Sequence, residues 1–229
     1  MQVPSITASG TIQIIPRVPS DQMKIYRIPY GPFASNMYLI FCGDDSFIVD
    51  PSVSPERISR TIDGFDTDSI KAVFITHGHY DHICCADEWR AIHGDASFLL
   101  SHRDIPLLSD PRANCSYMDG KTCTFEGAYE DAEGTISFGD LKVTVIATPG
   151  HTKGSVCFLF DEGGEKALFT GDTVFAGSVG RTDFPGGSFK ELSESVNKVK
   201  ELDPELAIYP GHGPESTIGE EIRTNPYFA

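Results

Sequence analysis

The sequence predicts an α+β fold of four layers, in which two β-sheets pack face to face and helices cover their outer sides. Many short runs are rich in β-branched and aromatic residues and are separated by Gly, Pro and Asp, which is typical of strands. The early runs follow one another across short turns, whereas the later ones alternate with helical segments. Since each sheet must bury one face against another layer, this order favours a sandwich of two mixed sheets with outer helices.

Nine runs are predicted as the strands of these sheets. Each is short, largely apolar and bounded by residues that break regular structure. They span residues 24–30, 36–43, 46–51, 71–78, 96–102, 141–150, 155–164, 166–172 and 206–213. Because no change of composition interrupts the series, we expect one domain across residues 1–229.

Two segments between the runs are predicted as helices. Residues 55–63 suit a short helix, and residues 188–202 suit a longer one. In the longer segment, Ser188 and Glu191 have the spacing of a capping box, which is typical of a helix start. Apolar residues then recur at steps of three or four, so one face should bury against a sheet. That face consists of Phe189, Leu192, Val196, Val199 and Leu202.

Residues 102–133 are the least regular part of the chain. Their polar, Gly-containing and Pro-containing sequence predicts a long loop with a single helical turn. Loops of this length in compact domains are usually functional or disordered. We therefore expect this segment to border a binding pocket.

The charge balance limits the possible partners. The 229 residues include 18 Lys and Arg against 33 Asp and Glu, which gives a formal net charge of −15. Such a chain repels the phosphates of a nucleic acid. The N-terminal sequence lacks the pattern of a signal peptide, and no window holds the roughly 18 apolar residues of a membrane span. We expect a soluble, cytoplasmic protein with a small-molecule substrate and neither a nucleic-acid nor a membrane partner.

A cluster of metal-ligand residues follows the predicted strand at 71–78. The sequence THGHYDH places His77, His79, Asp81 and His82 within six residues. The imidazoles of His77 and His79 can converge on one point if the backbone stays extended, with Gly78 allowing a tight turn. Asp81 and His82, at the start of a helix, can point to a second position. Imidazole and carboxylate groups are suitable ligands for zinc, iron or manganese.

Three further candidates follow later strands. His151, Asp172 and His212 each lie within three residues of a Gly or Pro at the end of an apolar run. A single histidine at such a place is usually a hydrogen-bonded group, and Asp172 alone could cap a turn. Five of the seven histidines nevertheless lie at strand ends, and this repetition favours metal binding for the whole set. His93 and His102 lie outside this pattern.

These residues carry a resemblance to a known family. HGHYDH at 77–82 is similar to the HxHxDH signature of the metallo-β-lactamase superfamily, and the later candidates follow in the order of its remaining ligand motifs. The resemblance implies an αββα sandwich and two divalent metal ions. One ion would be held by His77, His79 and His151, the other by Asp81, His82 and His212, with Asp172 bridging them.

Within the superfamily, the sequence resembles the glyoxalase II group, which hydrolyses hydroxyacylglutathione thioesters. TPGHTKGS, FTGDTVF and GRTDFPGG carry this likeness, and the segment IYPGHGPESTIGEEIRTNPYF resembles the short bacterial members. The resemblance implies a glutathione-linked thioester as substrate, with zinc the expected metal and iron or manganese the alternatives. Our hypothesis is that a hydroxide bridging the two ions attacks the thioester carbonyl, while Asp81 orients that hydroxide as the catalytic residue.

Other functions compete with this interpretation. GRTDF also occurs in persulfide dioxygenases of the superfamily, which would use His77, His151 and Asp172 to hold one iron. A phosphodiesterase or a non-catalytic metal-binding module are further alternatives. Against the dioxygenase, His79, Asp81, His82 and His212 supply a complete second site.

Arg181, in the run GSVGRTDF, is a cation with a forked head group. It could contact a substrate carboxylate, or pair with Asp183 or another acidic group and brace its own loop. Because bidentate Arg–carboxylate pairs are common in structural roles, we expect the bracing role.

Overall fold

A seven-stranded sheet forms from the first part of the chain. The computed structural model describes residues 13–14, 23–62 and 67–229. The strands of this sheet are β1 (Gln13–Ile14), β2 (Lys24–Tyr30), β3 (Ser35–Cys42), β4 (Asp45–Val49), β5 (Ile70–Ile75), β6 (Ser97–Leu100) and β7 (Glu130–Asp131). They lie in sequence order. The pairs from β1 to β4 are antiparallel, and those from β4 to β7 are parallel.

A six-stranded sheet forms from the second part. Its strands are β8 (Thr135–Phe138), β9 (Leu141–Ala147), β10 (Val156–Glu162), β11 (Glu165–Gly171), β14 (Ala207–Pro210) and β15 (Ser216–Thr217). The order is β15-β14-β11-β10-β9-β8, and only β11 and β14 pair in parallel. A small hairpin of β12 (Val174–Phe175) and β13 (Ser178–Val179) follows β11. All nine predicted runs form strands, and the strands that we did not predict have two to four residues each.

The helices complete a four-layer αββα sandwich, as predicted. They are α1 (Pro55–Thr61), α2 (Tyr80–Ile83), α3 (Ala86–Ile92), α4 (Ile105–Leu108), α5 (Phe189–Lys200) and α6 (Ile218–Thr224). Three apolar clusters separate the layers. One joins the first sheet to α1, α2 and α3, the second joins the two sheets, and the third joins the second sheet to α5 and α6. Within the described residues, no helix is long and apolar enough to cross a membrane.

The two predicted helices form with small differences. Helix α1 ends at Thr61, and residue 63 of the prediction lies outside the described residues. Helix α5 begins after Ser188, whose side chain accepts a hydrogen bond from the Glu191 backbone N–H, as a capping box requires. The backbone N–H of Ser188 donates instead to the Gly150 carbonyl at 2.8 Å, so the loop before His151 fixes the start of the helix.

The predicted buried face of α5 is wrong at Phe189, which is 60% exposed. The first turn packs against backbone, since a Cβ at Gly150 would lie 2.3 Å from the Leu192 nitrogen. Leu192 therefore takes the buried position of this turn, while Phe189 faces outward. Val196 and Val199 are buried as predicted, and Leu202 packs half-buried beyond the end of the helix.

Residues 102–133 contain more regular structure than the single helical turn that we predicted. Two 3₁₀ turns (His102–Asp104 and Ser116–Asp119), α4 and β7 lie in this segment. Side-chain to backbone hydrogen bonds fix the turns: the Asn114 amide donates to the Cys123 carbonyl and accepts from the Ser116 backbone. Such bonds leave no apolar period in the sequence, so the pattern could not predict them.

Candidate metal centre

The seven predicted ligand residues come together at one edge of the sandwich. His77 and His79 lie in the loop after β5, and Asp81 and His82 lie on α2 directly behind it. The remaining three follow the ends of β9, β11 and β14, and are His151, Asp172 and His212. Side chains from four separate stretches of chain thus face one another, because their strands end at the same edge.

The donor atoms form overlapping groups. In each of three sets, all donor atoms lie within 4.8 Å of one another: His77, His79 and His151; His77, His82 and Asp172; and Asp81, His82 and His212. Asp172 lies between the outer sets. One of its oxygens is 3.4 Å from His82 Nε2, and the other is 3.4 Å from His151 Nε2. A carboxylate in this position can contact two cations at once.

Hydrogen bonds hold four of the five imidazoles from behind. In each ring Nδ1 has a partner, which leaves Nε2 facing the centre and fixes how the ring is oriented. The partners are Thr76 Oγ1 for His77 (3.0 Å), Asp50 Oδ2 for His82 (2.9 Å), the Arg181 carbonyl for His151 (2.7 Å) and the Phe33 carbonyl for His212 (3.0 Å). His79 differs, because its Nδ1 lies 2.9 Å from His151 Nε2.

Asp50 supports the centre and was missed in the sequence. It follows β4 in a left-handed backbone conformation (φ 55°) and is buried. Its carboxylate accepts hydrogen bonds from the backbone and hydroxyl of Thr76, both at 2.8 Å, and contacts His82 Nδ1. The available signal was an aspartate at a strand end, in the run SFIVDP, which resembles the context of the other candidates.

Asp104 is a second buried support that the sequence did not reveal. It accepts hydrogen bonds from the Gly78 N–H (2.9 Å), the Thr152 hydroxyl (2.6 Å) and the Gly154 N–H (2.7 Å). It therefore joins the loop of His77 and His79 to the loop of His151. Gly78 serves this contact rather than a tight turn, because its φ is not positive and a Cβ there would lie 3.2 Å from the Asp104 carbonyl oxygen.

Burial and neighbouring charges shift the pKa values of the histidines in opposite directions. Burial, together with the surrounding imidazoles, lowers the pKa of His77 and of His79 well below the ordinary value, so both rings are neutral near pH 7. Burial also acts to lower the pKa of His82, but nearby carboxylates outweigh it and raise that pKa to about 10. These carboxylates belong to Asp81, Asp172 and Asp50.

The residues fit a bound metal. Nε2 of His77, Nε2 of His79 and Oδ1 of Asp172 are buried without a hydrogen-bond partner. A buried polar atom without a partner is costly, and a cation at the centre of the cluster would compensate His77 Nε2 and Asp172 Oδ1, whereas His79 presents its Nδ1 to the centre. Five imidazoles and two carboxylates form a donor set that suits divalent zinc, iron or manganese.

The two histidines that did not fit the pattern lie elsewhere. His93 caps the end of α3 and stacks on Trp89, with ring centroids 5.8 Å apart. His102 is exposed, and its ring lies 3.3 Å from Asp131. Arg181 pairs with Asp183 through two contacts of 2.6 Å, as predicted for a brace, and its guanidinium also covers the ring of Phe184.

An open cavity of about 360 Å³ leads from the surface to the cluster. Its lining includes the ligand candidates that face outward and several aromatic and aliphatic side chains. The lining residues are Phe33, His79, Tyr80, Asp81, Cys115, Met118, His151, Asp172, Phe175, Ser178, Val179, Arg181, Phe184 and His212. A small molecule that enters this cavity meets the cluster directly.

Residues 30–212 match the Metallo-beta-lactamase superfamily. This chain belongs to that superfamily. The match covers most strands of both sheets and every ligand candidate, and it ends at His212. Members of the superfamily bind divalent metals, in agreement with the clusters of histidine and aspartate described above.

Individual proteins are similar over nearly the whole chain. Hydroxyacylglutathione hydrolase GloC of Haemophilus influenzae is 31% identical over 210 residues, which cover 90% of this chain and 98% of GloC. The crystal structure of the BLEG-1 B3 metallo-beta-lactamase superposes with a TM-score of 0.80 at 32% identity, covering 90% and 99% of the two chains. TTHA1623 in a di-iron-bound form gives a TM-score of 0.75 at 31% identity, covering 88% and 98%.

Proposed function

We propose that this protein is a dinuclear metal-dependent hydrolase that cleaves a small-molecule thioester. The proposal rests on one observation. Seven buried or half-buried side chains form three overlapping sets of metal-binding atoms, and each set has at least one member that lines the same cavity. The similarity to a hydroxyacylglutathione hydrolase supports a thioester as the substrate, with a glutathione-linked one as the first example to test.

The proposed ligands divide the centre into two sites. His77, His79 and His151 would hold one ion, and Asp81, His82 and His212 would hold the other. Asp172 would serve both, because its two oxygens face different imidazoles. Bound divalent ions lower the pKa of water and polarise a carbonyl group. We propose zinc as the native metal, and the di-iron form of a similar structure makes iron the main alternative.

Asp81 is the proposed catalytic residue. Its side chain is 20% exposed and lines the cavity, whereas the other proposed carboxylate ligand, Asp172, is more deeply buried. The Ser35 hydroxyl donates to the Asp81 carbonyl at 2.7 Å and so fixes the first turn of α2. The carboxylate can therefore orient a water molecule or hydroxide ion toward a substrate carbonyl. The thiolate that leaves a thioester needs no protonation by the protein, so a separate general acid is not required.

A cysteine nucleophile is not supported by the cavity. Cys115 is the lining cysteine, and burial raises the pKa of its thiol to about 11. The thiolate is the nucleophilic form of cysteine, and at pH 7 this residue holds its proton. Water activated at the centre is therefore the proposed nucleophile.

Thioester assays with two carboxylate variants test the proposal. The substrates are a panel of glutathione thioesters, together with a chromogenic β-lactam because BLEG-1 is a B3 metallo-beta-lactamase. We expect thioester hydrolysis by the metal-loaded protein and its loss in Asp81→Ala and Asp172→Ala. Asp161→Ala, in the β10–β11 hairpin and not among the lining residues, serves as the control. Full hydrolysis by either site variant, or cleavage of the β-lactam alone, contradicts the proposal.

A mononuclear iron persulfide dioxygenase is the second candidate. The proximity of His151 to Asp172, with His77 beside them, offers two histidines and one carboxylate. The outer set of Asp81, His82 and His212 has no role in that chemistry. Oxygen uptake on glutathione persulfide that survives in His212→Ala would favour the dioxygenase, whereas thioester hydrolysis that is lost in the same variant favours the hydrolase.

A further inference from the structure

Two adjacent cysteines lie at the junction between α2 and α3. Cys84 follows the last residue of α2, and Cys85 precedes the first residue of α3. Both are free thiols, and their Sγ atoms lie 3.9 Å apart. The two sulfurs are therefore close enough to contact one ligand together. The proposed hydrolysis uses neither of them.

Both cysteines line a second open cavity, of about 460 Å³. It shares Phe33, Tyr80 and Asp81 with the cavity of the metal centre, so the two cavities are neighbours. Cys85 is 8% exposed and belongs to the apolar cluster between the first sheet and its helices, whereas Cys84 is half-buried. A small ion can thus reach a pair of sulfurs that the core holds in place.

The separation of the two sulfurs fits a bridging ion better than a disulfide. Disulfides usually join Cα atoms about 4.4–6.8 Å apart, whereas consecutive Cα atoms lie about 3.8 Å apart. Two sulfurs on a tetrahedral zinc ion, with Zn–S bonds of about 2.3 Å, lie about 3.8 Å apart. The observed separation of 3.9 Å therefore needs little adjustment to accept such an ion.

A buried hydroxyl without a partner lies in the same cavity. Ser52 is 1% exposed, lines the cavity, and has no hydrogen-bond partner for its Oγ among the described residues. Its carbonyl accepts a hydrogen bond from the Cys84 thiol at 3.2 Å, so this serine lies beside the cysteine pair. A buried polar atom of this kind is usually satisfied by an ion or an ordered water. A water molecule bound to an ion at the pair supplies such a partner.

The charges around this cavity favour a cation over an anion. Among the described lining residues, four carboxylates stand against one cation, Lys121. Two of the carboxylates pair with neighbouring cations, and a third, Asp81, belongs to the proposed metal centre. The fourth belongs to Glu88, which lies three residues after Cys85 on α3 and adds a negative charge there. Such a cavity attracts cations, and thiolate donors select soft ones.

We propose that Cys84 and Cys85 form a binding site for a thiophilic divalent cation of the zinc and cadmium class. The ion bonds to both sulfurs, the two thiol protons pass to solvent, and water fills the remaining positions beside Ser52. This site does not depend on the proposed hydrolysis. With two protein ligands it binds more weakly than the metal centre, so dialysis against metal-free buffer empties it and leaves the centre filled.

Cadmium titration tests the site. A thiolate bound to cadmium gives an ultraviolet charge-transfer band, which imidazole and carboxylate ligands do not give. Protein whose metal centre is filled with zinc is dialysed and then titrated with Cd²⁺ in the absence of other thiols. We expect the band to saturate at about one ion per chain, with the intensity of two thiolates.

Variants show whether the band arises at the pair. Cys84→Ser, Cys84→Ala and Cys85→Ser should each remove the saturating band. Cys123→Ser is the matched control, because Cys123 is a half-buried free cysteine that does not line this cavity. We expect it to bind cadmium as the wild type does. Ser52→Ala should weaken the cadmium affinity about tenfold, as the loss of a group that supports a bound ion does.

Each outcome decides for or against the site. Absence of the band in the wild type overturns it, and so does a band that persists in the Cys84 variants or is lost equally in Cys123→Ser. Unchanged cadmium affinity in Ser52→Ala contradicts the role of the hydroxyl. Retention of zinc at the metal centre shows that a variant is folded. If Cys85→Ser, a substitution in the core, loses that zinc, the two Cys84 variants decide.

Discussion

The layer between the two sheets and the edge that carries the metal centre are equally buried but opposite in chemistry. Between the sheets, Phe74 is fully buried, and its ring lies 5.1 Å from those of Phe158 and Phe160. At the edge, His82 and Asp104 are just as inaccessible to solvent. The inter-sheet layer gains its stability mainly from apolar burial, whereas each buried polar atom of the edge needs a hydrogen-bond or metal partner.

The inter-sheet layer therefore serves mainly stability, and the edge serves mainly function. Natural proteins depart from the rules of stable packing mainly at functional sites, where the loss is compensated elsewhere. At the edge, His77 Nε2 and His79 Nε2 are buried without a hydrogen-bond partner. Apolar burial in the aromatic layer between the sheets offsets the free energy that these unpaired atoms cost. We therefore expect substitutions at the edge to change activity and metal binding, and substitutions in the layer to change the free energy of unfolding.

The largest effect is expected at Asp172. Asp172→Ala removes the carboxylate between the two proposed metal positions, so kcat/KM for the thioester should fall by about a thousandfold, equivalent to about 4 kcal/mol in the transition state. Steady-state kinetics on metal-loaded protein measures this. The free energy of unfolding of the metal-free variant should not fall, and a large loss there would contradict the division of roles.

The opposite behaviour is expected at Phe74. Phe74→Ala leaves a cavity among the aromatic rings between the sheets, so the free energy of unfolding should fall by about 3–5 kcal/mol. Denaturant unfolding of metal-free protein gives this value. Below the unfolding transition, kcat per folded molecule should stay close to that of the wild type. A selective loss of kcat in the folded variant would show that the layer also shapes the site.

A smaller effect on metal binding is expected at Asp50. Asparagine tolerates the left-handed backbone at position 50, so Asp50→Asn should keep the local conformation. The substitution weakens the contacts to Thr76 and His82, because the carboxylate is replaced by an amide. Because groups that orient a metal ligand influence its affinity, we expect the affinity of the outer site to fall about 10- to 100-fold. Competition with a chromogenic chelator measures it. Asp45→Asn, at the half-buried first position of β4, is the control and should bind metal as the wild type does.

The smallest effect is expected at the start of α5. Ser188→Ala removes the side-chain acceptor for the Glu191 N–H and should lower the free energy of unfolding by about 1 kcal/mol. The backbone bond from residue 188 to the Gly150 carbonyl is retained, so kcat/KM should not change. A marked loss of activity would mean that the helix cap, and not only the backbone bond, positions His151.

The fold and the cluster of ligand candidates could be predicted from the sequence, whereas the buried residues that support the cluster, Asp50 and Asp104, could not. Strands of alternating or continuous apolar residues leave a periodic signal, and ligand residues at strand ends stand next to Gly or Pro. Asp104 left no comparable signal, because it lies in an irregular segment and its partners Gly78, Thr152 and Gly154 are distant in sequence. The outward position of Phe189 likewise depends on a tertiary contact, the approach of Gly150 to α5, which helical periodicity does not contain.

The central claim is that the edge holds two metal ions that serve hydrolysis. Metal content per chain, measured on protein purified from its own host together with thioesterase and oxygen-uptake assays, tests it most directly. We expect about two divalent ions per chain, thioester hydrolysis that disappears on chelation, and no oxygen uptake on glutathione persulfide. A single iron per chain with persulfide-dependent oxygen uptake and no thioester hydrolysis would contradict it.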